Sequence, residues 1–171
     1  MTAGTIPALF TRQAEALKTA PLFLVRRGGA YHPITWAQAA EDLRAFSLSL
    51  LQQGVEPGDR VLLLSENRPE WGLADLAIQS VGAWAVPIYP SLTAEGVRAI
   101  CQDCRPVIGI ASTPEQTAKL LAVHRETVCF RAVVVMEGAA QAGPPPVVPW
   151  AEALAQGRAA DLELRERLGR R

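Results

Sequence analysis

The sequence predicts an α/β protein: a doubly wound, mostly parallel sheet with flanking helices, preceded by a small N-terminal β-hairpin. Two observations carry this. Apolar runs such as Val61-Leu62-Leu63-Leu64 lack the in-and-out alternation of a half-solvated strand, so both faces of the strand must be covered. Between successive runs lie segments with a capping residue at one end and apolar residues at steps of three and four, as in helices packed on a sheet. Strand, helix and strand repeated in this order demand crossovers between parallel neighbours.

Taken in order, Thr5-Ile6-Pro7 opens a helix running to about Lys18, with a hydroxyl to cap free amides and a proline in the first turn. Leu22-Phe23-Leu24-Val25, the pair Gly28-Gly29 and the stretch from Ala30 to Ile34 read as two strands joined by a glycine turn. Thr35 stands three residues before Gln38, the spacing of a capping box, and starts a helix through Trp36, Ala39, Leu43, Phe46 and Leu50 that ends at Gly54. After the turn Glu56-Pro57-Gly58-Asp59 comes the strand at 61–64, a helix begun by Asn67 and Pro69, and the strand at 84–88, in which Trp84 is expected in the core. Thr93 caps the next helix, Val107-Ile108-Gly109-Ile110 forms the next strand, and Thr113-Pro114-Glu115-Gln116 reads as a second capping box. Ala132-Val133-Val134-Val135-Met136 returns the chain to the sheet.

These elements divide the chain into an α/β part at 1–136, a proline-rich surface loop at 137–149, and at 150–171 a short helix and charged tail leading to a missing remainder. At 171 residues, with 49% hydrophobic and 20% charged, the chain has the balance of a packed domain and not of a disordered segment. Seventeen basic residues offset seventeen acidic ones, so no field of one sign exists to collect nucleic acid. The N-terminus lacks a signal peptide's basic start and apolar run, and no apolar stretch reaches the roughly 18 residues of a transmembrane helix. A cytoplasmic protein is therefore expected. Cys101, Cys104 and Cys129 are too few for a disulfide framework and read as free thiols, small core residues rather than ligands.

The residues by themselves offer little chemistry. A G-x-G-x-x-G turn should follow a strand, but Ser65-Glu66-Asn67-Arg68-Pro69-Glu70 and Tyr89-Pro90-Ser91-Leu92-Thr93 occupy those positions. Lys18 and Lys119, the only lysines, have no phosphate-loop glycines beside them. Cys101-Gln102-Asp103-Cys104 lacks the second ligand pair of a zinc site, and His32 and His124 lack paired spacing. No G-x-S-x-G elbow surrounds Ser65, Ser91 or Ser112, and His124, beside Arg125 and Glu126, reads as a solvated surface residue. The carboxylate pairs Glu41/Asp42 and Glu66/Glu70 fall at helix starts, where they answer the dipole.

Three stretches, in matching order and spacing, resemble the adenylate-forming superfamily of acyl-CoA ligases, luciferases and nonribosomal adenylation domains. The first runs from Ile34-Thr35-Trp36 to Leu43. The second is Gly54-Val55-Glu56-Pro57-Gly58-Asp59-Arg60-Val61 continuing to Ser65-Glu66-Asn67-Arg68-Pro69-Glu70-Trp71. The third is Val81-Gly82-Ala83-Trp84-Ala85-Val86-Pro87-Ile88-Tyr89-Pro90 through Thr93. The Ser-Glu-Asn-Arg-Pro-Glu-Trp and Val-Pro-Ile-Tyr-Pro wording is similar to the long-chain fatty acid branch, and the resemblance covers about 5–136. It implies the N-terminal portion of an AMP-forming long-chain fatty acid-CoA ligase, in which ATP and magnesium activate a fatty acid and CoA then takes the acyl group.

The family's next motif, a Ser/Thr/Gly-rich phosphate loop ending in Pro-Lys-Gly, is not found before Arg171. Nor are its adenine-binding aromatic, magnesium-binding glutamate, ribose-binding aspartate or catalytic lysine. The resemblance thus implies that ATP, Mg and CoA belong to the complete enzyme, that the chain alone binds none of them and is inactive, and that its partner is the remainder of the ligase. It leaves room for the complete enzyme to lie against a membrane. The alternative is a non-catalytic scaffold or binding module of the same fold. No catalytic, cofactor-binding or metal residue is assigned. Asn67, Arg68, Glu70, Trp71, Tyr89 and Ser91, at the carboxyl ends of two strands where open α/β sheets bind ligands, are the substrate-channel candidates.

Overall fold

Local signals set the first elements of the protein, whose computed structural model describes residues 4–169. Helix α1 (Ile6–Leu17) is capped by the Thr5 hydroxyl, which accepts from the Ala8 amide at 3.3 Å. Strands β1 (Pro21–Arg27) and β2 (Ala30–Thr35) pair antiparallel, and the register closes at Arg27 and Ala30. Gly28 and Gly29 hold φ of 56° and 85°, the left-handed pair that lets a two-residue turn follow the strand twist. Helix α2 (Trp36–Gln52) starts with the reciprocal capping box: the Gln38 amide donates to Thr35 Oγ1 at 3.3 Å, and the Thr35 amide donates to Gln38 Oε1 at 2.9 Å.

The chain then builds β3 (Arg60–Leu64), α3 (Pro69–Ser80), β4 (Trp84–Ile88), α4 (Ala94–Cys104), β5 (Ile108–Ala111), α5 (Pro114–Thr127), β6 (Ala132–Val135), β7 (Val147–Pro149) and α6 (Trp150–Gly169). The five-stranded sheet has the order β4-β3-β5-β6-β7, and every pairing in it is parallel. Successive side chains of a strand point to opposite faces, so an apolar run covers both. Val61, Leu63, Ile108, Ile110 and Val134 face α2, α3 and α6, whereas Leu62, Leu64, Ala111, Val133 and Val135 face α4 and α5. The doubly wound, mostly parallel sheet with flanking helices and a small hairpin is thus what these residues form. Among the described residues no helix is long and apolar enough to cross a membrane.

Several local expectations are corrected. Val147 and Val148, read as the end of a loop, form β7 on the open edge of the sheet, where Pro149 removes no needed hydrogen-bond donor. The short helix and charged tail are one helix, α6, whose Ala153 and Leu154 are buried in the core shared with α2; Arg170 and Arg171 lie outside the described residues. Trp84 is 69% exposed, because β4 is the other edge strand and the core lies on the inner side of its ends. Residue Arg68, not Asn67, holds the cap position of α3, without a side-chain cap bond. The Thr113 hydroxyl caps α5 at the Gln116 amide, 3.3 Å, but the Gln116 side chain turns to the β4–α4 loop instead of completing a box.

His124 is not solvated. It is 7% exposed, its Nδ1 accepts the Phe130 amide at 3.1 Å, and its ring stacks on Phe130 with centroids 6.0 Å apart. Burial pushes its pKa below the ordinary 6.5. The unfolded chain therefore binds the extra proton first: stability is full above pH 6.5 and is lost as the pH falls from there through the native value. A His124→Asn variant keeps an acceptor but cannot titrate. Urea midpoints measured from about pH 7 down to about 5.5 should fall less for this variant than for the parent chain, and parallel curves would contradict the assignment.

Candidate functional site

The strand order sets where a site can lie. From β3 the chain passes through α3 on one face to β4, then through α4 on the other face, past β3, to β5. The segments leaving β3 and β5 therefore part toward opposite faces, opening the crevice at the carboxyl edge where doubly wound sheets take ligands. Here the crevice is cross-tied by the chain itself. Arg68 Nε lies 2.9 Å from Glu70 Oε2, and its Nη1 lies 2.9 Å from Glu137 Oε1 and 3.4 Å from the Ser112 carbonyl. One guanidinium thus joins the ends of β3, β5 and β6.

Next to it, the Ser112 hydroxyl, the Glu66 amide and the Gln116 side chain hold the Glu66 carboxyl below the usual carboxylate range against its modest desolvation. Gln116 Nε2 donates to Glu66 Oε1 at 3.4 Å and to the Pro90 carbonyl at 3.2 Å. Lys119 Nζ donates to the carbonyls of Pro90 and Leu92 at 2.9 and 2.7 Å. Helix α5 in this way fixes the loop between β4 and α4.

A groove of about 560 Å³ opens between the ends of β3 and β4. Ser65, Glu66, Asn67 and Trp71 form one wall, and Pro87, Ile88, Tyr89 and Pro90 the other. Among the described residues Glu66 is the only charged side chain in this lining, and they offer no cation to a phosphate there. Among the described residues no group of three or more His, Cys, Asp or Glu is placed to hold a metal ion. The lining suits an uncharged, largely apolar guest.

The structure separates the six sequence candidates. Asn67, Trp71 and Tyr89 meet in the groove. Arg68 and Glu70 turn into the crevice as an ion pair, and Ser91 is exposed on the loop outside the lining. Sequence reasoning missed Glu66 as a wall residue and Gln116 and Lys119 as loop anchors. Lys119 carried a faint signal, an isolated lysine within a helix, but nothing local marks its two carbonyl partners.

Residues 10–159 match the family described as AMP-binding enzyme. A long-chain-fatty-acid-CoA ligase, FadD15 of Mycobacterium bovis, is 37% identical over 110 residues, covering 64% of this chain and 18% of that protein. The long-chain-fatty-acid-CoA ligase heimdall of Drosophila melanogaster is 28% identical over 138 residues, covering 78% of this chain and 20% of that protein. The chain thus spans about a fifth of the length of these relatives. Among solved structures, the acetoacetyl-CoA synthetase of Streptomyces lividans superposes with a TM-score of 0.76 at 24% identity, over 87% of this chain and 24% of that one. The A-PCP didomain of carboxylic acid reductase from Segniliparus rugosus, in complex with AMP, reaches 0.79 at 13% identity, over 93% of this chain and 27% of that one. These superpositions concern the fold.

Proposed function

Because the chain belongs to the AMP-binding enzyme family, we propose that it is the N-terminal part of an ATP-dependent long-chain fatty acid-CoA ligase and that it is inactive by itself. The observation that carries the reading is the similarity to long-chain-fatty-acid-CoA ligases over 64% and 78% of the chain. In the complete enzyme, fatty acid, ATP and CoA are the substrates, magnesium is the metal, and the location is cytoplasmic, with room for contact at a membrane surface.

The described residues do not fit a magnesium-bound triphosphate. Among the described residues the groove carries a lone carboxylate and no cation, and no ligand cluster lies elsewhere. Adenylation develops dense negative charge that must be neutralised, so that chemistry is assigned to the rest of the enzyme. This part supplies the rigid sheet on which the nucleotide-binding remainder packs. The exposed Trp84 on edge strand β4 and the exposed Tyr89 just past its end support such a docking role. Asn67, Trp71 and Tyr89 are assigned to a wall of the substrate channel, while Arg68 and Glu70 shape the loop that carries it.

Fatty-acid-dependent exchange of pyrophosphate into ATP tests the reading. The purified chain with palmitate, ATP and magnesium is expected to show no exchange above a protein-free control. Exchange above that control would overturn the claim of inactivity and require a triphosphate site built by these residues alone.

A further inference from the structure

The three cysteines, read from the sequence as free thiols and small core residues, are not alike in the structure. Cys101, in the last turn of α4, and Cys129, just past the end of α5, line one surface pocket of about 470 Å³ together with Arg105, Glu126 and Thr127. We propose that Cys129 is a peroxide-reactive thiol and Cys101 its resolving partner, so that oxidation links α4 to the end of α5 through an intramolecular disulfide. The inference stands apart from the ligase reading.

The geometry gives the two sulfurs different roles. Val128, exposed and left-handed at φ 48°, ends α5 and turns the chain so that Cys129 sits half-buried at the pocket wall. Thr127 Oγ1 lies 3.1 Å from Cys129 Sγ and 2.9 Å from the Val123 carbonyl. Its single proton serves the carbonyl when the sulfur is a thiol and is available to the sulfur when that carries charge. The facing Cys101 thiol, then Thr127 and the Cys129 backbone amide, hold Cys129 down to about 7 despite its burial. The same contact and burial push Cys101 up, so it stays protonated until the disulfide forms. Cys104 is also pushed up, by burial, and does not line the pocket. Cys101 is 1% exposed, which bars it from a second chain and leaves Cys129 as its partner.

The chemistry balances. The Cys129 thiolate attacks one oxygen of hydrogen peroxide, the O–O bond breaks, and sulfenic acid and hydroxide form. Cys101 sulfur then attacks the sulfenic sulfur, the S–O bond breaks, and the departing hydroxyl takes the Cys101 proton as water. Two thiols and one peroxide thus give one disulfide and two waters.

Alkylation and oxidation of the full chain test this. Cys129 is held below the ordinary thiol range and lines the pocket, whereas burial pushes Cys104 up and Cys104 does not line it. Iodoacetamide labelling at pH 7 followed by peptide mass spectrometry should therefore show Cys129 reacting faster than Cys104. Stoichiometric peroxide should then yield a cross-linked peptide joining Cys101 to Cys129 and no dimer. In Cys101→Ser, dimedone should trap a sulfenic acid at Cys129. Equal labelling of Cys129 and Cys104, or oxidation giving dimers or no cross-link, overturns the proposal; both readouts use the parent chain and stand even if the variant fails to fold.

Discussion

Gly157→Ala is expected to destabilise the protein by about 2 kcal/mol or more, the reverse of its effect on an exposed helix. Alanine in place of glycine in a helix interior ordinarily gains about 1 kcal/mol. Gly157, however, is the point at which α6 crosses α2, and a Cβ added there would lie inside the van der Waals shell of the Ala45 carbonyl oxygen, with Ala45 Cα 3.0 Å away. The obstructing atoms are backbone, so no rotamer change relieves them, and the helices must separate. That separation also loosens the Arg158–Asp42 and Arg44–Asp161 ion pairs, which flank the contact and at this exposure contribute at most about 1 kcal/mol each. A urea titration reads the result directly. A midpoint for Gly157→Ala at or above that of the parent chain would show that α6 does not sit against α2 as described.

Phe46→Ala should cost about 4 kcal/mol, while Trp84→Ala should cost no more than about 0.5 kcal/mol, although the sequence places both in apolar patterns. Phe46 is fully buried on α2, and its ring centroid lies 4.2 Å from that of Trp150, the first residue of α6. Truncating it removes the transfer energy of a phenyl ring and leaves a cavity under α6 that the sheet cannot collapse to fill. Trp84 stands mostly in solvent on edge strand β4, so alanine there opens no cavity. Thermal or urea unfolding of the two variants should separate them by about 3.5 kcal/mol, a large fraction of a domain's marginal stability. Similar losses for both would mean that β4 is not an edge in the isolated chain.

Much of the fold is legible because its causes are local. The Thr35 capping box, the Gly28-Gly29 turn and the unalternating run at 61–64 each act within a few residues, and each appears as read. Where the reading failed, a distant segment decided the outcome. His124 has charged neighbours in sequence, but the amide of Phe130 and the packing of α5 bury it. The strand Val147–Pro149 is too short to show a period and exists because β6 offers it a parallel partner. The candidate site divides in the same way. The strand ends at Asn67, Trp71 and Tyr89 were visible as strand ends, whereas the partners of Glu66, Gln116 and Lys119 were not.

By itself the sequence determined the parallel α/β architecture, the helix starts and the kinship with acyl-CoA ligases, since periodicity, caps and motif wording are properties of neighbouring residues. Only the tertiary structure decided which apolar residues are core, that Arg68 cross-ties three strand ends, that Gly157 lets two helices touch, and that two cysteines from separate helical ends share a pocket. Those outcomes depend on which remote segments meet, and burial and close approach are set by that meeting, not by any residue's own preference.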